Sequence, residues 1–386
     1  MVGIGVKGLN QYGDGLAWVR GSMIGKGGFG SVYLATPKIS RSRYSYYPSI
    51  MAVKSAEFSA SASIQKERMV FSDLQGCPDH IITCFGEETT IGDNGLMAFN
   101  LLLEYASGGT LSDRIKKSGG SGLPEFEAKE YTRSILRGLD HIHTTGYVHC
   151  DLKPDNILLV RAPNDSNEFQ AKIGDFGLAK RAEVESKKRR LEPYWRGTPM
   201  YLSPEAVIDM VQEAPCDIWA LGCIVLEMLT GKRPWSGKNT EEVLEKIGAE
   251  DELPNIPTEI SEEARDFLKC CFVRNARYRL TAELMLTHPF VEGLEDDDDD
   301  DSDDSIEEDL SDNESIFSVS AESDDEFSSG SYCSSCEEND DNVEDESVSN
   351  YADEGEVKVE ESERVKRRKI SFIIRPQYHH SCRSLA

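Results

Sequence analysis

The sequence is poor in long apolar runs. No stretch approaches 18 consecutive uncharged apolar residues, so no transmembrane helix is expected. The opening MVGIGVKGLNQYGDG has no basic stretch leading into an apolar one, and no secretory signal is expected. Val2 excludes the myristoylation pattern, and the final RSLA leaves Cys382 one place too early for prenylation. Ten cysteines in 386 residues, irregularly spaced, are not a disulfide framework. Cys333 and Cys336 form a CxxC without the second pair that a zinc site would call for, and reduced thiols are the plainer reading. Basic residues are scarce in one region only. Residues 1–294 carry 34 Lys+Arg and 39 Asp+Glu; residues 295–363 carry 1 and 31; residues 364–386 carry 7 and none. The net charge of −28 therefore sits almost wholly in 295–363. No large basic surface is implied before residue 364, which excludes a nucleic-acid binder driven by phosphate neutralisation.

What is present divides the chain. At roughly 150 residues per domain the length allows two domains or one large one. Residues 18–36 read as two apolar runs joined by glycines, a hairpin signal; 37–48 are polar and proline-bounded, a loop. Ile50 to Lys54 is a short strand, 61–75 one helix, and 96–106 a buried strand. Phe126, Tyr131, Ile135, Leu139 and Ile142 mark an amphipathic helix over 125–143. Residues 217–230 are apolar nearly all round, which predicts a central buried helix. The periodicity stops after Val291. From Glu295 the Asp/Glu/Ser-rich chain has too little apolar surface to offset its conformational entropy, so 295–363 is expected to be disordered. A strand-rich first third and helix-rich remainder predict two lobes of one α+β unit.

Three motifs carry chemistry. Gly25, Gly27 and Gly30 form GxGxxG in a strand–turn–strand setting, where bare backbone N–H groups can approach phosphate. Alone this pattern is weak, since many such matches are ordinary turns. Lys54 ends the next strand and becomes a phosphate-binding candidate when paired with the glycine turn. It needs an anion to hold it: Glu67 on the expected helix is favoured, with Glu57 in the connecting segment as the rival. The third motif is His149-Cys150-Asp151-Leu152-Lys153-Pro154-Asp155-Asn156, followed by Asp175-Phe176-Gly177. Phosphoryl transfer needs a carboxylate near the attacking hydroxyl, cation-binding oxygens and cations over developing charge; these strings supply each.

Together the motifs resemble the eukaryotic protein kinase family, over residues 18–291. The resemblance implies a bilobal protein kinase fold using ATP and Mg²⁺. It implies that Asp151 accepts the substrate hydroxyl proton, that Lys153 steadies the transferred phosphate, and that Asn156 and Asp175 hold magnesium. Lysine at 153 resembles Ser/Thr rather than Tyr kinases. Ile24, Gly25, Gly27, Gly30, Val32, Ala52, Lys54 and Glu67 are implied around the nucleotide, with Glu104 and Ala106 in the hinge that reads adenine and Asp113 a weaker candidate for the ribose. Thr198, in Gly197-Thr198-Pro199, is implied beside Asp151 and Lys153; Glu205 is expected to pair with Arg279, and Asp217 to brace the catalytic loop. Within the family the strings HCDLKPDNIL, KIGDFGLAKR, RGTPMYLSPEAV and CDIWALGCIVLEMLTGKRPW are most similar to plant MEKK-type MAP kinase kinase kinases. That likeness implies MAP kinase kinases as substrates, in stress or hormone signalling. The rivals are a kinase-fold scaffold without phosphoryl transfer and a Ser/Thr kinase outside this cascade. The presence of Lys54, Asp151, Asn156 and Asp175 argues against a scaffold.

One departure stands out. Cys150 occupies the place where many kinases carry an arginine whose charge is compensated by a phosphate on the activation loop. The segment between Gly177 and Thr198 offers few hydroxyls, Ser186 and Tyr194 with Thr198 itself, and carries a basic run at 187–190. That run reads as a solvated loop or as a latch for the acidic tail. The expected organisation is an extension at 1–17, a kinase domain at 18–294 with its lobes meeting near 106, an acidic disordered segment at 295–363 and a basic segment at 364–386. Residues 366–372, KRRKISF, read as a nuclear import signal, a docking peptide or a solubilising tail. Ser305, Ser311 and Ser323, each with a carboxylate three residues on, resemble acid-directed phosphorylation sites. No membrane or nucleic-acid partner is expected, and the location is expected to be cytoplasmic, nuclear or both.

Overall fold

The computed structural model describes residues 11–38, 47–77, 79–162, 168–182, 195–249 and 252–293. Ser186, Tyr194, the basic run at 187–190, the CxxC pair and both charged terminal segments lie outside these residues.

Strands β1 (Trp18–Gly27) and β2 (Gly30–Pro37) form the expected hairpin, and β3 (Met51–Glu57) runs on past Lys54. Helix α1 (Ala62–Asp73) follows, then β4 (Cys84–Ile91) and β5 (Met97–Glu104). These strands make one antiparallel sheet in the order β1-β2-β3-β5-β4. Alternation along β3 sends Ala52 and Ala56 to a core shared with Ile64, Val70 and Phe71 of α1, and Met51 and Val53 to the opposite face. That second face is covered too, by a cluster of Trp18, Ala35 and Leu102. Strand β4 has no continuous apolar signal because it is the edge of the sheet, where only part of each face is buried.

Residues just before β1 pack onto that edge. The Leu16 amide and the Trp18 indole N–H donate to the two oxygens of Glu88 at 2.6 and 2.7 Å. Thr90 Oγ1 donates to the carbonyl of Tyr12. The Arg20 guanidinium donates to Gly13 O, Ser55 Oγ and Asn100 Oδ1 at 2.8–2.9 Å, with the rings of Trp18 and Tyr33 within 5.0 Å of it. Burial pulls this guanidinium down to about 10, against Tyr33, Asp14 and Tyr12, which hold it up.

The larger lobe begins with β6 (Gly109–Thr110) and α2 (Leu111–Lys117), then the long α3 (Glu125–Thr144). Tyr131, Ile135, Leu139 and Ile142 are buried as their spacing predicts; Phe126, in the first turn, is instead exposed. Strands β7 (Tyr147–Val148), β8 (Ile157–Arg161), β9 (Phe169–Ile173) and β10 (Lys180–Arg181) form two small sheets, β6-β8-β9 and β7-β10, that carry the loops of the cleft. Helices α4 (Pro204–Ile208), α5 (Ala214–Thr230), α6 (Thr240–Gly248), α7 (Glu262–Cys271) and α8 (Ala282–Leu286) complete it. Helix α5 is buried without a break from Cys216 to Met228, the central helix that its composition predicts. It starts three residues earlier, with Pro215 in the first turn, and ends at Gly231, whose left-handed φ of 67° no β-carbon obstructs. The Arg279 guanidinium, wholly enclosed, grips both oxygens of Glu205 at 2.7 and 3.1 Å, as expected. Among the described residues no helix is long and apolar enough to cross a membrane.

Candidate active site

The β1–β2 turn forms one wall of the cleft. A β-carbon at Gly27 or Gly28 would meet nothing within 4 Å, and at Gly25 only Val32 at 3.8 Å. The fold therefore does not demand glycine at these positions; their bareness leaves the backbone open on the cleft side, as close approach of a polyanion requires. Gly30 is different. With φ at 155° a β-carbon there would strike Ser55 O at 2.6 Å and Ile64 Cδ1 at 3.1 Å. Ile24 and Phe29 are partly exposed on this hairpin, while Val32 and Ala52 pack at its base.

Lys54 lies on β3, opposite Leu101 of β5. Its ammonium donates to Glu67 Oε2 at 2.6 Å and Asp175 Oδ1 at 2.9 Å. Of the two carboxylates, Glu67 meets Lys54, whereas Glu57 is exposed and accepts from Ser59. Glu67 is 1% exposed, and its second oxygen accepts the Phe176 amide at 3.3 Å. Burial works against the Lys54 ammonium, yet Glu67 and Asp175 together hold it above the ordinary lysine value. Burial pushes the Glu67 carboxyl up against the pull of Lys54; at Asp175 burial also pushes up, but Lys54, His149 and the Gly177 amide together hold the carboxyl down.

Asp175 adopts a left-handed backbone, φ 58° and ψ 71°, uncommon for a residue with a side chain. Its neighbour Phe176 is fully buried, edge-on to Phe71 of α1 and to His149, with centroids 5.1 Å away in both cases. His149 joins two loops. Its Nε2 lies 3.1 Å from Gly174 O, which can only accept, so Nε2 carries the proton and Nδ1 accepts from the Asp151 amide at 3.3 Å.

Asp151 sits at the centre of the second wall. One oxygen accepts from Thr198 Oγ1 at 2.8 Å, the other from Lys153 Nζ at 2.7 Å; Lys153 also reaches Thr198 Oγ1 at 3.0 Å. Asn156 Nδ2 donates to the Asp151 carbonyl at 2.7 Å, which leaves the amide oxygen of Asn156 as an acceptor. Beneath lies Asp217 on α5, taking the amides of His149 and Cys150 at 2.8 and 3.0 Å and His143 Nε2 at 3.0 Å. That bracing fixes Cys150 at φ 67°.

Two sequence expectations take a more particular form. Glu104 does lie at the end of β5, beside Ala106, but its carboxylate turns to Lys172 of β9, at 3.0 and 3.2 Å, and accepts the Thr83 amide. Asp113 is engaged as the capping box of α2, accepting from Thr110 N–H while its own amide donates to Thr110 Oγ1. Burial pushes its carboxyl up, but these bonds with Thr110 and the nearby Lys116 and Lys117 together hold it low. Lys172 was not singled out from the sequence, and its only signal is its place three residues before Asp175. Asn156 and Asp175 offer oxygen donors on backbone joined by the Gly174 amide, which donates to Asn156 O at 2.9 Å. Oxygen-only donors suit a hard ion such as Mg²⁺, so these residues fit that cofactor. Elsewhere Asp266, Cys270 and His288 place three ligand-type atoms within 4.8 Å of one another. His288 Nδ1 accepts the Phe290 amide, so Nε2 carries the proton and is not free to ligate a metal; it lies 3.4 Å from Asp266 Oδ2 without a hydrogen bond.

A glycine hairpin over a lysine–glutamate pair, facing an aspartate held by lysine and threonine, in a cleft between a β-sheet lobe and a helical lobe, defines a protein kinase. The chain belongs to the protein kinase family: the model of the protein kinase domain matches residues 18–291. Its relatives include Mitogen-activated protein kinase kinase kinase 20 of Arabidopsis thaliana, 46% identical over 287 residues, 73% of this chain and 80% of that protein. Mitogen-activated protein kinase kinase kinase 17 of the same plant is 39% identical over 72% of this chain and 70% of its own length. Human Mitogen-activated protein kinase kinase kinase 3 is 34% identical over 71% of this chain and 42% of its own length. With these relatives, the chain is a Ser/Thr protein kinase of the plant MEKK type.

Proposed function

We propose that this kinase transfers the terminal phosphoryl group of ATP to Ser or Thr residues of MAP kinase kinases, with Mg²⁺ as cofactor. The observation that carries the reading is the Asp151–Lys153–Thr198 triangle, all three contacts at 3.0 Å or less. In the proposed reaction Asp151 accepts the proton of the attacking hydroxyl, and Thr198 keeps the carboxylate aimed. Lys153 places positive charge where the phosphoryl group passes. Lys54, held by Glu67, positions the nucleotide phosphates from the other wall. Asn156 and Asp175 would hold Mg²⁺, which would supply positive charge against the phosphates. The hinge backbone at Glu104 and Ala106 reads adenine, and the glycine turn at 25–30 lies over the phosphates.

The kinase-kinase substrate is supported by the names of the relatives, each called a mitogen-activated protein kinase kinase kinase. A role in stress or hormone signalling, and a cytoplasmic or nuclear location with an import receptor or docking partner at 366–372, extend the same reading. The test is phosphorylation of a panel of MAP kinase kinases by the full chain and by Asp151→Asn. At least one member is expected to be labelled by the wild type, and the substitution to lower the rate by about 10²–10⁴. Labelling of a generic basic protein with none of the panel would place the enzyme outside this cascade; equal rates for the variant would remove Asp151 from the chemistry.

A further inference from the structure

The activation segment of this kinase runs from Asp175 to Glu205, and both of its described ends are held by two consecutive residues of another loop. Gln212 makes a two-way bond with the backbone of Arg196: its Oε1 accepts the Arg196 amide at 2.8 Å and its Nε2 donates to the Arg196 carbonyl at 2.9 Å. Its side chain is buried, so the bonds are shielded from competing water. Next to it, Glu213 Oε1 receives Lys180 Nζ at 2.8 Å, with the lysine side chain 14% and the glutamate 28% exposed. Arg196 lies near the far end of the segment and Lys180 near its start.

The clasping residues are themselves anchored. The Val211 amide donates to Glu205 O at 3.2 Å, and the Cys216 amide donates to Glu213 O at 2.8 Å, the turn that opens α5. One residue further, Asp217 takes the amides of His149 and Cys150. The same helix start therefore supports the catalytic loop from below and the activation segment from both ends. Two residues after Arg196, Thr198 bonds to Asp151 and Lys153. A shift of Arg196 would be passed along Gly197, where a β-carbon would lie 2.4 Å from Cys150 O, so the chain there has no slack. Nothing at position 150 adds charge to this arrangement: the residue is a buried thiol.

We propose that Gln212 and Glu213 are positioning residues that hold the two described ends of the activation segment, at Lys180 and Arg196, in place for a protein substrate without a phosphate. They touch neither ATP nor the reacting atoms. Their loss is expected to impair use of the protein substrate while leaving ATP affinity alone. The proposal rests on the reading that this chain phosphorylates proteins, and the experiment separates the two.

Full-length protein, treated with phosphatase, is assayed with a generic basic protein while protein and ATP concentrations are varied separately. The wild type is expected to retain at least half its activity after treatment. Gln212→Ala is expected to raise KM for the protein at least fivefold or lower kcat to the same extent, with KM for ATP within twofold. Glu213→Gln, a milder change that keeps size, is expected to act the same way two- to threefold. The exchange pair Lys180→Glu with Glu213→Lys is expected to recover more activity than either single reversal, which general destabilisation would not produce. Melting temperatures identify any variant that has unfolded, in which case Glu213→Gln and the exchange pair decide. A wild type that labels no protein before treatment overturns the functional reading. An active wild type silenced by phosphatase and restored by rephosphorylation overturns the clasp, as do unchanged kinetics in Gln212→Ala and Glu213→Gln.

Discussion

The two walls of the cleft are built on opposite terms. The upper wall is a hairpin whose tip touches little: Gly27 and Gly28 face open space, and Phe29 is partly exposed. The lower wall is bound from every side, with Asp151 tied to Thr198, Lys153 and His149, and the loop beneath held by Asp217. Substrate has to enter and leave past the first, while the second has to hold reacting groups to within fractions of an ångström. Lys54 spans the difference. It belongs to the upper sheet but its ammonium is fixed to Glu67 of α1 and Asp175 of the lower wall.

Removing that span is expected to have the largest effect on rate. Lys54→Met is expected to lower phosphoryl transfer about 10²–10⁴-fold, or about 3–5 kcal/mol in barrier, while the fold persists. Glu67, already pushed up by burial, can take a proton when its partner goes. Phosphate incorporation and melting temperature, measured together, check this; wild-type activity would mean that the two walls work without the bridge.

Asp217 tests the rigidity of the lower wall. Asp217→Ala leaves two buried amides without an acceptor and is expected to cost about 3–5 kcal/mol of stability by denaturant unfolding. Burial alone would raise this carboxyl, but the bond from His143 and the nearness of His149 hold it low. A depressed carboxyl stabilises the fold above the ordinary aspartate range and loses that contribution as pH falls through its folded value. Wild-type stability is therefore expected to fall on acidification below about pH 4, and the variant to lack that part of the slope. Parallel acid profiles would show that the lower wall does not depend on this charge.

The smallest effects are expected in the hairpin, and they differ between neighbours. Gly30→Ala forces a side chain into an unfavourable backbone and against Ser55 O, a cost of about 1–3 kcal/mol. Gly27→Ala meets nothing and is expected to leave stability within about 0.5 kcal/mol while raising KM for ATP. Equal losses of stability at both positions would mean that the turn is packed rather than open.

The legibility of the sequence followed the same division. Residues close in sequence, such as Asp151, Lys153 and Asn156, or Gly25 to Gly30, could be read because local spacing carries their chemistry. Glu67 was separable from Glu57 because helical periodicity put it on α1. Contacts joining distant, ordinary residues left no pattern: Trp18 to Glu88, Lys172 to Glu104, and Gln212 to the Arg196 backbone. Strand β4 leaves no apolar run because it is an edge strand, and Phe126 shares the helical period of the core positions yet is exposed because the first turn extends beyond the surface that the rest of the helix covers. Asp113 shows a different limit. The kinase resemblance suggests ribose, but the same carboxylate is a sound helix cap, and composition does not rank the two uses.

The open hairpin also has a consequence in time. The amide of Gly27 lies at the last pair of the β1–β2 ladder, so the hairpin tip is expected to open first and to exchange hydrogen with solvent through local fraying. Amides inside α5 sit among side chains buried without interruption and exchange only when the whole domain unfolds. A single exchange experiment on this enzyme would thus contain two clocks, and a nucleotide lying under the turn would slow the fast one while barely touching the slow one.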